Sequence, residues 1–392
     1  MRPDLRHLDL TGKVILQVIP ALDTGGAEQT TLDVAEAVVK AGGRALVASR
    51  GGRMNEQLKA RGGELIPLPL HSKAPGDLIF CARQLLQAIR RHKVSLVHVR
   101  SRAPAYPAFW AARRAHVPML ATYHGVYNAR SPLKRWYNSI MTRGDLTIAN
   151  SDYTRAHVLA EHGTTPERVI SIPRGVDLTR FTPELVSPGR VALLRRKWAL
   201  ENDPRPVALL AGRLTRWKGQ TLAIEALGRL KAQGRDDLIL VLAGDDQGRG
   251  EYSAELHRLT RDLGVADQVR FAGHVADMPA AYLAADFALA PSLEPEAFGR
   301  TAVEPQVMGR LVLAANHGAA TETVIDGETG FLLPPGDVGA WAEGLKRALD
   351  LTPEDRAAMT AAAAERSRRL YSLEAMTEAT LAVYQRLLSG AA

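Results

Sequence analysis

The sequence predicts an α/β protein built from two parallel-sheet domains, and three observations carry that prediction. Short β-type runs alternate with helical stretches, the alternation breaks near the middle and restarts, and 392 residues exceed what one hydrophobic core usually reaches. In the first half, strands are expected at Val14 to Ile19, Arg44 to Ala48, Ser95 to Val99, Met119 to Tyr123, Leu146 to Ala149 and Val169 to Ile172, each followed by turn residues. Pro183, Pro188, Gly189, Pro204 and Pro206 then bracket one basic helical segment, as a connector would. The rhythm resumes with Val207 to Ala211, Leu238 to Ala243, Val269 to Phe271, Phe287 to Ala290, Val312 to Ala314 and Phe331 to Leu333. Thr352-Pro353-Glu354-Asp355 reads as a helix start, and Leu373 to Leu388 as an amphipathic helix. The expected organisation is a domain over 1–185, a second over 186–370 and a closing helix over 371–392.

Composition narrows the function. The 46% apolar and 23% charged fractions are those of a globular protein, and no apolar run reaches the roughly 18 residues that span a bilayer. No hydrophobic leader precedes Val14, so a cytoplasmic location is expected. A single cysteine, Cys81, excludes an intrachain disulfide and a thiolate metal cluster. The net charge of +8 is concentrated in the first 185 residues, which suggests an anionic partner or an ordinary solvated Arg-rich face. With no zinc-finger spacing and no aromatic RNA-binding signature, nucleic acid is not the expected partner.

Ligands of open parallel sheets bind at the carboxyl ends of the strands, so motifs there weigh most. Gly25-Gly26-Ala27-Glu28 follows the first strand and opens a helix, where backbone N–H groups and the helix dipole meet an anion; a plain tight turn is the alternative. Arg213 and Lys218 lie on a glycine-flanked loop after the first strand of the second domain, and two cations there suit a diphosphate; solvated loop cations are the alternative. Glu296 and Glu304 enclose Phe298, Gly299 and Arg300, and a helix is expected to begin near Gly299; if the whole stretch were helical the carboxylates would stand about 12 Å apart, comparable to the reach from a hexose across a diphosphate to a ribose, with a plain surface helix as the alternative. His124, in Tyr123-His124-Gly125, ends a strand of the first domain; a single histidine is most often structural, but one in this place can hydrogen-bond a reacting hydroxyl.

Together with Ile172-Pro173-Arg174-Gly175-Val176-Asp177, Leu242-Ala243-Gly244-Asp245, Phe271-Ala272-Gly273-His274-Val275 and Asp326-Gly327-Glu328-Thr329-Gly330-Phe331, these motifs resemble the family 4 glycosyltransferases over nearly the whole chain. The resemblance implies the GT-B fold, two Rossmann-like domains facing a cleft, and retaining transfer of a hexose, mannose being suggested, from a GDP- or UDP-sugar. It implies that Arg213 and Lys218 hold the diphosphate, Glu296 the sugar and Glu304 the ribose. Gly25 and Gly26 would approach the phosphates, and His274 and Val275 would meet the base. Phe298, Gly299 and Arg300 would complete the donor site, with His124 between donor and acceptor. The leaving phosphate itself would take the acceptor proton. No Asp-x-Asp occurs, so no metal or other cofactor is expected.

Arg100, Arg102, Tyr123 and Tyr127, with Asn128 and Lys134 to Asn138, resemble a subgroup assigned to lipopolysaccharide-core assembly. That implies a lipid-linked or lipopolysaccharide-core acceptor met by those four residues, and a protein peripheral at the inner face of an anionic membrane. Competing readings are a non-catalytic sugar-nucleotide-binding protein and a phosphorylase or sugar-phosphate synthase of the same fold. A Rossmann dehydrogenase is disfavoured because no G-x-G-x-x-G follows a predicted strand.

Overall fold

The computed structural model describes residues 8–390 except Thr24, Lys73, Asn128, Arg130 and Arg249. The chain divides into two compact units, the first of Met1–Gly175 with Leu373–Ala392 and the second of Val176–Ser372. Unit 1 carries β1 (Val14–Val18), β2 (Arg44–Ser49), β3 (Glu64–Pro67), β4 (Leu96–Val99), β5 (Met119–Tyr123), β6 (Leu146–Ala149) and β7 (Val169–Ser171). They form one parallel sheet in the order β3-β2-β1-β4-β5-β6-β7. Unit 2 carries β8 (Val207–Ala211), β9 (Ile239–Ala243), β10 (Val269–Gly273), β11 (Phe287–Ala290), β12 (Leu311–Ala315) and β13 (Phe331–Leu333). These are parallel in the order β10-β9-β8-β11-β12-β13.

The central strands read as continuous apolar runs because helices cover both faces. β5, β6, β8, β9 and β12 are buried along their whole length. Each sheet reverses its strand order once, between β1 and β4 in unit 1 and between β8 and β11 in unit 2. Those are the places where an open α/β sheet leaves a crevice beyond its carboxyl ends.

The unit boundary falls at Gly175 and Val176, ten residues before the expected one at 185. The bracketed basic segment is no free connector either. Its helix Pro188–Lys197 buries Leu194, and Trp198 and Leu200 behind it join the core that contains Val207 and Val241. The helix Leu373–Leu388 buries Met376, Leu381, Tyr384 and Leu387 against Ile15, Leu120 and Ile148 of unit 1.

A buried polar network pins that helix to the sheet. Tyr384 Oη lies 2.7 Å from His98 Nδ1, and His98 Nε2 lies 2.7 Å from Thr122 Oγ1. Arg100 donates to Gln17 Oε1 from Nε and Nη2, at 3.0 and 2.6 Å. Burial, and then the Arg100 charge, hold His98 well below the ordinary histidine range. His124 is lowered likewise, by burial first and then by Arg174 and Arg100. Both rings therefore stay neutral in the fold, while in the unfolded chain they take a proton below about pH 6.5. Stability present above that pH is lost as pH falls, by up to about 1.4 kcal/mol per unit for each ring. Thermal unfolding from pH 8 to 5 should show the loss, and His98→Gln should flatten the slope.

Candidate active site

In unit 2, glycines let the loops beyond the strands touch. A Cβ on Gly244, after β9, would stand 1.8 Å from Gly212 O; one on Gly219 would stand 2.0 Å from Pro291 O, and Gly219 also has φ +75°. Side chains are thus excluded where the loops after β8, β9 and β11 meet. Lys218 reaches from the first of these to the third, across the strand-order reversal, and its Nζ donates to Glu296 Oε1 at 2.7 Å. Ser292 Oγ donates to the same oxygen at 2.5 Å. The two side chains of the ion pair are only 12% and 18% exposed.

The loop after β12 closes around Glu296. Ala319 N donates to Glu296 O at 3.0 Å, and His317 Nε2 lies 2.8 Å from Ser292 O. A Cβ on Gly318 would stand 2.8 Å from Glu296 O. Ser292, Glu296, Gly299 and His317 line one recess. Arg213 is exposed on the loop after β8, and its carbonyl accepts from Gln220 Nε2.

Helix Arg300–Val307 starts only after Gly299, whose φ is +76°. Glu296 therefore stands outside the helix, and the 12 Å separation expected of a continuous helix does not apply. Glu304, 5% exposed, is held between Arg300 Nη2 at 2.5 Å and Tyr282 Oη at 3.1 Å. Phe298, expected beside the donor, turns its ring into the core against Tyr371. His274 is exposed and Val275 half-buried beyond β10.

Unit 1 brings together three residues separated widely in sequence. Arg174, three residues beyond β7, places Nη2 3.3 Å from His124 Nδ1, and its Nη1 lies 2.1 Å from where a Cβ on Gly26 would stand. The guanidinium thus rests on the turn that opens helix Gly26–Lys40, beside Gly25. Asn150 Nδ2 donates to His124 O at 3.1 Å. A guanidinium has no acceptor, so the nitrogen facing it must be the unprotonated one. Neutral His124 therefore carries its proton on Nε2, which is buried and has no hydrogen-bond partner among the described residues. That nitrogen can donate to an oxygen but cannot take a hydroxyl proton.

Arg174 in unit 1 stood only inside a quoted motif and Ser292 in unit 2 was not singled out, whereas His317 belongs to Asn316-His317-Gly318-Ala319, which the resemblance sets near the donor sugar in place of a commoner Gly-Gly pair. Two residues expected at the acceptor are inside the protein instead. Arg100 is 3% exposed in the Gln17 network, and Tyr123 is fully buried with its hydroxyl 3.2 Å from His162 Nε2. Tyr123 ends β5 in the sheet interior, and Arg100 directly follows β4 with its guanidinium turned inward onto Gln17. Arg102 stacks 3.9 Å over Tyr127 and donates to Asn138 Oδ1. Asn128 lies outside the described residues.

Comparison with known proteins gives two family matches, the glycosyl transferases group 1 over residues 194–366 and Glycosyltransferase Family 4 over residues 24–180. D-inositol 3-phosphate glycosyltransferase 2 of Catenulispora acidiphila is 30% identical over 333 residues, 80% of this chain and 76% of that one. Mycobacterial relatives are longer, and the chain spans 59% of their length. A crystal structure of a glycosyltransferase from Rickettsia africae is 31% identical with a TM-score of 0.89, covering 96% of this chain and 98% of that one. Anabaena Alr3699/HepE in complex with UDP-glucose is 25% identical with a TM-score of 0.78, over 95% and 99% of the two chains.

Proposed function

Since the chain belongs to the family 4 glycosyltransferases and has the GT-B fold, we propose that it moves a hexose with retention from a UDP- or GDP-sugar to a hydroxyl of a membrane-associated glycolipid or lipopolysaccharide-core acceptor. The observation that carries the donor reading is the Lys218–Glu296 pair at the strand-order reversal of unit 2. A cation there meets a diphosphate, and the carboxylate beside it accepts from sugar hydroxyls. UDP-glucose in the Anabaena protein supports a nucleotide diphosphate sugar.

In this reading Arg213 and Lys218 offset the charge that grows as the bond from the anomeric carbon to phosphate breaks. Glu304 takes the ribose. The acceptor oxygen forms the new bond on the same face, and its proton passes to the leaving phosphate. His124 donates from Nε2 to an oxygen at the reacting centre, in keeping with a phosphate as the base. The two cations serve in place of a metal.

UDP-glucose and GDP-mannose, each offered with lipid-linked and with phosphorylated polyol acceptors, test the assignment; the latter arm follows from the name of the Catenulispora relative. Nucleotide release that rises with one lipid-linked acceptor, survives EDTA and yields an axial product from an axial donor is expected. An inverted product, or release abolished by EDTA and restored by a divalent cation, overturns the corresponding part.

A further inference from the structure

Glu304 is nearly shut off from solvent, and a carboxylate so placed is costly unless its oxygens are well held. Among the described residues two side chains hold it, and they differ in freedom. Arg300 begins the same helix four residues earlier and reaches Oε1 while its side chain is 46% exposed. Tyr282 comes from another element, the helix Met278–Ala284 before β11, and its hydroxyl donates to Oε2. Its ring is 1% exposed and belongs to the core that holds Phe181, Phe298 and Ala302, with the Phe181 ring centroid 6.4 Å away. In a close-packed core such a ring has nowhere to swing. Burial, and then the charge of Glu304, hold the Tyr282 hydroxyl well above the ordinary tyrosine range, so it remains a donor.

A carboxylate offers about four lone-pair sites, and a vicinal diol needs two of them. Arg300 can yield Oε1 to a ligand hydroxyl, since its head can turn into solvent. Tyr282 has no such exit. We propose that Tyr282 is a positioning residue for the donor's ribose: its fixed hydroxyl holds the Glu304 carboxylate in one orientation, in which the remaining lone pairs receive the two ribose hydroxyls as Arg300 gives way. A carboxylate anchored from the core has its plane set before the ligand arrives, whereas one held by an exposed guanidinium alone would follow that side chain. Packing alone would need only the ring, because a phenylalanine fills the same space without setting a hydroxyl against a carboxylate. The role rests on the reading that Glu304 takes the ribose.

The test is calorimetric binding of UDP and of GDP to the full chain, each beside its 2′,3′-dideoxy analogue, in wild type, Tyr282→Phe, Glu304→Ala and the double variant. For the base that binds more tightly, wild type should prefer the ribonucleotide by about 10- to 100-fold. Tyr282→Phe should weaken the ribonucleotide about tenfold and leave the dideoxy analogue within about threefold of wild type, which also shows that the variant is folded. The donor KM should rise by the same factor, with kcat falling less than about threefold. Tyr282→Phe/Glu304→Ala should bind no worse than Glu304→Ala alone, because the hydroxyl acts through the carboxylate. A Tyr282→Phe variant that weakens both ligands alike, or that keeps the wild-type preference, overturns the positioning role, and Glu304→Ala then still reports the ribose contact. A wild type that binds ribonucleotide and analogue equally, or a Glu304→Ala variant that keeps the preference, overturns the ribose reading and the positioning role with it.

Discussion

Lys218→Ala should lower transfer by about 10² to 10³, the effect typical of removing one preorganised charge donor from a developing anion. The cation is fixed before any ligand arrives, by Glu296 Oε1 and by a loop whose shape depends on Gly219. Its loss also leaves a mostly buried carboxylate with Ser292 as its remaining side-chain donor, at a cost to stability of about 1–3 kcal/mol. Glu296→Gln separates the two effects: a neutral amide keeps the shape and removes the charge. If Glu296 meets the sugar, Glu296→Gln raises the donor KM and lowers kcat with little change in thermal stability. Rates within twofold of wild type for both variants would remove the pair from the reaction.

Arg174→Met should lower transfer by about 10² while leaving donor affinity close to wild type. Without the guanidinium, His124 Nδ1 has no enforced acceptor role, and the ring is free to carry its proton on either nitrogen. One charge that depresses its pKa is also gone, so protonation should shift to higher pH. Nitrogen-15 NMR of the His124 ring reports this directly: wild type should show a protonated Nε2 and an unprotonated Nδ1, and Arg174→Met a mixture. Gly26→Ala gives an independent route, because the new methyl displaces the same guanidinium. A protonated Nδ1 in the wild-type protein would sink the assignment.

The strands were legible where packing demands an unbroken apolar run. Met119–Tyr123, Leu146–Ala149, Val207–Ala211, Phe287–Ala290 and Phe331–Leu333 lie where their hydrophobic runs place them. β3 escaped because Glu64-Leu65-Ile66-Pro67 is a half-exposed edge strand ending in proline, with neither a full apolar run nor clean alternation. Site residues divided differently. Lys218 and Glu296 stand in recognisable loops, and 78 positions apart they meet. Arg174 acquires meaning only through His124, 50 residues earlier, and Ser292 only through its contact with Glu296. Arg100 and Arg102 look alike in sequence, but Arg100, directly after β4, turns inward onto Gln17, while Arg102 starts the following helix and lies on an aromatic ring.

The return of Leu373–Leu388 to unit 1 sets an order of assembly on the ribosome. Unit 2 is one continuous stretch and can close as soon as it has emerged. Unit 1 begins first and closes only after unit 2 has been made, because Tyr384 and Leu387, needed to cover one face of its sheet, follow unit 2 in the chain. Until then Ile15, Leu120 and Ile148 lack that cover, for the time needed to synthesise an entire second domain.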